Sequence, residues 1–325
     1  MRRHGLRLGV LGLSALLSAA SLPAKAAVLD VTGILTQFNA VVTNSFSSGH
    51  DVEGRLVAGS IDGGATFYNK PNALSAASTY AAVNADSINA CSSCNIDNGG
   101  SVAYGAKASG VSFSFNGGGS YVAAAPTLSD FTTPLDTFVA QLSALTANST
   151  IDAHDPNQFL LNVTPDVDGL AVFSVSATTL ASAGNIVFSN ASVAETIVIN
   201  ATGPAGYAFV EGGGTNFNAN DYINEHVIWN FEDAGSLSFK YWHGAILAAN
   251  AVVTNSSPLE GFLYASSFVG NGELHDRPFL GSVRGIVPTT VAAVPEPATW
   301  AMMALGFAGL AFAGWRRSRR AAATA

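Results

Sequence analysis

The 325-residue sequence predicts an all-β dominated body, a β-solenoid with one flanking α-helix, set between a signal peptide and a C-terminal transmembrane helix. Three observations carry this. Short β runs alternate with Gly/Asn/Ser/Asp turns along most of the chain. The hexapeptide AVVTNS stands at 40–45 and again at 251–256, each copy followed by a second shared pattern, GRLVAGS at 54–60 and GFLYASS at 261–267. One segment between them has helical periodicity instead.

The first element is a targeting segment. Arg2, Arg3 and Arg7 make a positive start, and Leu8 to Leu22 is an apolar core too short for an ordinary span. Ala24-Lys25-Ala26 puts small residues where signal peptidase reads, so 1–26 reads as a signal peptide cleaved between Ala26 and Ala27. A retained membrane anchor is the alternative.

The body follows, 27–283, roughly 255 residues, enough for one large domain or two small ones. Its clearest strand runs are GRLVAGSI, VSFSF, GLAVFSVSA, NIVFS, ETIVINATG, YAFVEGGG, HVIWNF, SLSFKYW, GAILAANAVV and GFLYASSFV. Coils of a solenoid present equivalent positions to their neighbours, which gives the repeated strand and turn a physical reason. The offsets are 211 at AVVTNS and 207 at the Gly54/Gly261 pair, a slip that falls in the turn. The two copies read as coils from the two ends of the body, brought together if the chain doubles back. Coincidence in an Ala/Val/Thr/Asn-rich chain is the competing account.

In TPLDTFVAQLSALTANS, the apolar residues Leu135, Phe138, Val139, Leu142 and Leu145 step by three and four, a helical stripe. Thr133 can cap it, Pro134 suits the first helical position, and Asp136 lies in the first turn. Such a helix must lay its stripe on the β body.

A linker at 284–294 leads to the tail. Ala298 to Trp315 carries no charge over 18 residues, about 27 Å as a helix, which suffices to cross a bilayer. Trp300 and Trp315 flank it, and the stub 316–320 holds Arg316, Arg317, Arg319 and Arg320, a cytoplasmic-side cluster.

Charge excludes some partners. All 22 acidic but only six of the 14 basic residues lie within 27–315, a formal charge of −16. Such a body repels phosphate backbones, so nucleic acid and anionic lipid are poor partners. Cys91 and Cys94 form CSSC, and an oxidising compartment permits a loop disulfide between them, or two free thiols. A redox site would need a strand before and a helix after, which the flanks NADSINA and NIDNGGS do not clearly offer.

Candidates for chemistry are few. His50-Asp51, His154-Asp155 and His275-Asp276 are adjacent pairs and His226 follows Glu225, but no HExxH or GxSxG spacing occurs. Adjacent strand residues point to opposite faces, so these are not dyads in themselves. No catalytic residue, metal ligand or cofactor site is assigned. Asp166-Val167-Asp168-Gly169, with Asp152 and Asp155 nearby, leaves weak calcium binding open beside a plain Asx turn. The GGG runs at 117–119 and 212–214 read as tight turns. Tyr241, Trp242 and Trp229 offer either a sugar-stacking surface or buried aromatics. The stacking reading expects Trp242→Ala to weaken glycan retention with the fold intact.

Two resemblances follow from these residues. Val294-Pro295-Glu296-Pro297, an apolar span and an arginine-rich end resemble the PEP-CTERM sorting signal of Gram-negative bacteria, here 295–320. That resemblance implies recognition of Pro295-Glu296-Pro297 by an exosortase in the inner membrane, which cuts nearby and releases the body for surface attachment or secretion. DVEGRLVAGS, VIWNF, WHGAILAANAVVTN and GNGELHDRPF look like segments of the choice-of-anchor A domain. Glu53-Gly54-Arg55, Trp229-Asn230-Phe231, Trp242-His243-Gly244 and Gly270-Asn271-Gly272-Glu273 are the most specific parts. Ala249 and Ser60 depart from the pattern, which alters turn geometry and removes no chemical group. The implied fold is a β-solenoid with a flanking helix, and the implied role is adhesion at a bacterial surface.

The leading expectation is a non-enzymatic surface or matrix protein that adheres to polysaccharide, another cell or another surface protein. A specific carbohydrate-binding module is the alternative, followed by a polysaccharide-processing enzyme, for which no clustered acids can be assembled from the sequence. Ice binding wants a regular Thr array, and no Thr-x-Thr ladder is visible.

Overall fold

The computed structural model describes residues 29–286, apart from 124, 213–215 and 218–219, together with 306–308. The signal peptide, the sorting motif and nearly all of the expected membrane span lie outside the described residues. Among those described, no helix is long and apolar enough to cross a membrane.

The body is mostly β and its strands are almost all parallel. The main sheet has 12 strands. From one edge they run Leu170–Ser176, Thr196–Thr202, Val227–Asn230, Ala245–Asn255, Leu263–Gly270, Ala40–Ser48, Leu56–Ile61, Val83–Ile88, Val102–Lys107 and Tyr121–Ala123. Ala234–Phe239 and Tyr207–Val210 extend the sheet beside the second half of Ala245–Asn255. A register break between Val42 and Ser45, and another between Ala248 and Val252, divides each long strand into two segments. Short parallel strands form a third side, and Val52 bridges both Phe67 and Leu274 to join its two halves. The chain therefore winds in three-sided coils.

The order of strands is not the order of the chain. The first strand lies in the middle of the stack. The chain winds away from it through Tyr121–Ala123, crosses back along a helix, and starts again at the opposite edge with Leu170–Ser176. The second run ends when Leu263–Gly270 docks on the free side of Ala40–Ser48. The doubling back expected from the repeats is thus present. Leu56 and Leu263 both lie opposite Ala40, Val57 and Tyr264 opposite Val41, and Ala58 and Ala265 opposite Val42. The Gly54/Gly261 offset is a true structural equivalence. The AVVTNS copies are not: Ala40 shares a level with Ile246, five residues before Ala251. They stand one strand apart but are displaced along it, because Val-Val serves equally well in either segment of a bent strand.

The expected single helix is joined by others. Helix α1 is Val31–Gln37, α2 Ser129–Ser143, α3 Ala177–Ala181 and α4 Asp221–His226. Helix α1 was not legible because seven residues hold too few turns for periodicity; Asp30 caps it through Gly33 N at 2.7 Å. Helix α2 begins at Ser129 rather than at Pro134, which lies inside it. Phe131, fully buried, explains the extra turn. Together α1 and α2 cover the first segment of the main sheet, with Ile34, Leu35, Phe131, Phe138 and Leu142 packed over Val41, Val57, Ile228, Leu247 and Tyr264. A second core, including Phe46, Phe67, Phe268 and Trp229, fills the inside of the coils.

Candidate functional site

Among the described residues, no helix covers the second segment of the main sheet. Eight strands contribute, from Tyr207–Val210 at one edge to Val102–Lys107 at the other, which is about 34 Å at the usual strand spacing. Alternate residues point inward, and Phe46, Phe268, Val253, Leu237 and Phe209 are buried. Their neighbours point out in two columns. One runs Ala106, Ser87, Ser60 and Ser45 on one side of the seam, and Ser267, Val252, Ser236 and Ala208 on the other. The other runs Ser47, Val269, Thr254, Ser238 and Val210. Val210 is 63% exposed, Val269 46% and Val252 41%. The face is a broad sheet of small hydroxyl and methyl groups with one carboxylate among them, that of Asp62, which accepts from Ser45 Oγ at 2.6 Å, from Ser60 Oγ and from Asn89 Nδ2 at 2.9 Å. Such a surface can make close contact with another surface.

These face residues went unread in the sequence. The available signal was that NAVVTN and SSFVG place an apolar residue at an outward position beside an inward one.

The residues nominated for chemistry are scattered. His50 and His154 are exposed. His226 Nδ1 donates to the Glu195 carbonyl at 2.8 Å, and its ring stacks on Tyr222 at 4.0 Å. Asp166 Oδ1 takes the backbone N–H of Asp168 and of Leu170, an Asx turn; Asp155 caps the short turn Pro156–Gln158. Cys91 and Cys94 have Cα atoms 5.6 Å apart and their sulfurs in bonding contact. Cys91 follows the strand Val83–Ile88 and Cys94 opens Cys94–Ile96. Gly117 and Gly118 adopt φ of 88° and 98°, as a tight turn requires; the 212–214 run is only partly within the described residues. Trp229 and Trp242 are 0% and 1% exposed, packed at 4.9 Å from one another. The stacking surface built on Trp242 is therefore not available; those rings fill the coil interior.

One nominated residue does join a cluster. His275 lies in register with Glu260 on the adjacent coil. Its Nδ1 meets Glu260 Oε1 at 2.6 Å and its Nε2 meets Glu273 Oε2 at 2.9 Å. The Glu260 hydrogen bond, against burial and aided by Glu273, raises His275 to about 9. Burial would raise Glu260, but His275 and Arg277 hold it down at about 2. Glu53, from the first coil, accepts Asp276 N at 2.9 Å and pairs with Lys70 at 3.3 Å. Among the described residues, Glu53, Glu273 and His275 are the group whose ligand atoms lie close enough for a metal ion. Both ring nitrogens of His275 already face carboxylates and Lys70 balances Glu53, so the cluster reads as an ionic clamp across the seam where last coil meets first. Asp276, raised by burial, sits beneath it and accepts Asn72 N and Ser75 Oγ at 2.9 and 3.0 Å.

No curated protein matches the chain. Two solved structures are similar to it. One is the ice-binding protein of the Antarctic ascomycete Antarctomyces psychrotrophicus, 12% identical, with 76% of this chain and 96% of that one covered and a TM-score of 0.30. The other is LeIBP, an ice-binding protein from an Arctic yeast, 13% identical, with 82% and 99% covered and a TM-score of 0.30. A family model described as a PEP-CTERM protein-sorting motif matches 293–320, which implies export, sorting to the cell surface and processing by an exosortase. A second, described as "Putative Ice-binding-like adhesive domain", matches 31–276. With three quarters of its length so matched, the chain belongs to the ice-binding-like adhesive domain family.

Proposed function

We propose that this is an exported, non-enzymatic surface or matrix protein that adheres through its uncovered sheet face, in association with biofilm or exopolysaccharide. In this reading signal peptidase cuts between Ala26 and Ala27, and Cys91 and Cys94 bridge once exported. An exosortase acts at Val294-Pro295-Glu296-Pro297 in the inner membrane of a Gram-negative cell, after the 298–315 span has held the chain. The body 27–283 would be a choice-of-anchor A-type solenoid. The observation that carries the adhesive reading is the contrast within one sheet: two helices shield its first segment, while eight strands of its second segment present exposed Val210, Val252 and Val269. A sheet face of that breadth, left without a covering helix, is where we place the adhesive contact. Ice is not the target this face suggests, since its two outward columns hold Thr254 as their one threonine.

The test replaces Val210, Val252 and Val269 with lysine together in the full chain. Retention on cells or their extracellular polymer should fall about tenfold, some 1.4 kcal/mol, with the thermal midpoint little changed because all three side chains stand outside the core. Unaltered retention would sink the assignment of adhesion to this face.

A further inference from the structure

A cavity of about 530 Å³ opens at the end of the helix-covered face, where α2 no longer reaches. That volume falls within the range of small-ligand sites. Its floor is the outward column Asn84, Ala103 and Val122, in register across three strands. Arg55, Tyr68 and Tyr80 form one wall, with Asn98 and Ser101 beside them.

The walls are held in place. The Arg55 guanidinium lies 4.9 Å from the Tyr68 ring centre, donates to Tyr68 Oη at 3.0 Å and to the Tyr80 carbonyl at 3.4 Å. Tyr68 has φ of 59°, a conformation a bulky side chain rarely adopts. Asn98, also left-handed at 51°, supports it by donating to the Tyr68 and Asn69 carbonyls, each at 2.8 Å. Tyr80 is fixed by edge contacts with Phe38 and Phe131 at 5.4 and 5.3 Å.

The floor has an unmet requirement. Asn84 is 1% exposed and its Nδ2 donates to the Leu56 and Ala81 carbonyls, at 3.3 and 2.9 Å. Its Oδ1, buried, receives no hydrogen bond. A buried acceptor without a donor is costly and rare, and asks for an explanation.

We infer that this cavity binds a neutral pyranose unit of a polysaccharide. A hydroxyl donates to Asn84 Oδ1 and others accept from Arg55 or Ser101, while carbon–hydrogen faces pack on Ala103, Val122 and the tyrosines. A sugar supplies donors and acceptors on one rigid ring, which is the combination that Asn84 and Arg55 together require. A carboxylate would set its charge against the Asn84 oxygen, and a purely apolar ligand would leave that oxygen unmet. This site is separate from the open face and does not depend on it.

The test is saturation-transfer NMR on the full chain with methyl glucopyranoside, methyl galactopyranoside and methyl mannopyranoside as millimolar probes. At least one should receive transfer, and glucuronate should receive less. Val122→Trp, at the solvent-exposed end of that floor, where the side chain is 42% exposed, should weaken it about tenfold with the thermal midpoint unchanged. Pro126→Trp on the opposite lip should do the same. The triple lysine variant of the open face should leave it intact. Transfer to none of the three probes, or transfer that survives both tryptophans, would overturn the assignment.

Discussion

His275 and His243 flank Glu260 from the coils on either side of it and respond to acid in opposite senses. His275, raised by the Glu260 hydrogen bond to about 9, contributes stability that is complete below its ordinary value of 6.5 and is lost as pH rises through 9. His243, lowered by burial to about 4, is neutral in the fold, so the unfolded chain gains protons first as pH falls from 6.5. The thermal midpoint of the wild type should therefore exceed that of His275→Gln most clearly below pH 6.5, and the gap should close by pH 9. A gap that stayed constant across that range would refute the clamp. Trp242→Ala should cost about 3–5 kcal/mol in urea unfolding, as expected for a large ring removed from a filled interior. At this scale the sequence was half legible. Glu53, Trp242 and His275 stood out as family-like positions, but which faced inward depended on bends that no local pattern records. Neither the Glu260–His275 register nor the Glu53–Asp276 contact, 223 residues apart in sequence, has a local signature.

Helix α2 and its asparagines show what was and was not readable among elements. The sheet offers Asn200 and Asn230 under the C-terminal end of the helix. Asn200 Nδ2 donates to the Leu142 carbonyl at 2.8 Å. Asn230 Nδ2 reaches the Val139 carbonyl, Ser143 Oγ and Asn200 Oδ1 at 3.3, 2.9 and 2.9 Å. The β body thus adds donors to carbonyls in the last turns of the helix. Asn230→Leu should cost about 1–3 kcal/mol in urea unfolding, because the buried Asn200 oxygen loses its donor. The Asn200→Leu/Asn230→Leu double variant should lose less than the sum of the singles. Strict additivity would show the pair to be uncoupled. The periodic stripe revealed α2, and each of the ten strand runs contains an observed strand. Val83–Ile88 was missed because Asn84, Asp86 and Ser87 make it look like a turn; it is a strand because its neighbours on both sides are. Short α1, α3 and α4 each start at an N-cap, Asp30, Ser176 and Asn220, but hold too few turns for a periodic stripe.

For the molecule as a whole, the sorting signal makes the firmest forecast. Replacing Pro295, Glu296 and Pro297 with alanine should shift the protein from the surface or medium to the inner-membrane fraction, seen by fractionation and immunoblotting. Equal distribution of both forms would show that the motif is not what sorts the chain. The winding was legible from the repeated Gly54/Gly261 strands; the direction of winding in each half was not, since parallel coils look alike whichever way they are stacked. Putting the earliest strand at the centre also fixes a timetable. During synthesis Ala40–Ser48 can pair on one side almost at once, but its other neighbour, Leu263–Gly270, is among the last parts of the body to cross the membrane. The keystone is laid first and locked last. Contacts over so long a separation form slowly, and the hydrophobic tail that follows would moor the half-built coil at the bilayer while they do.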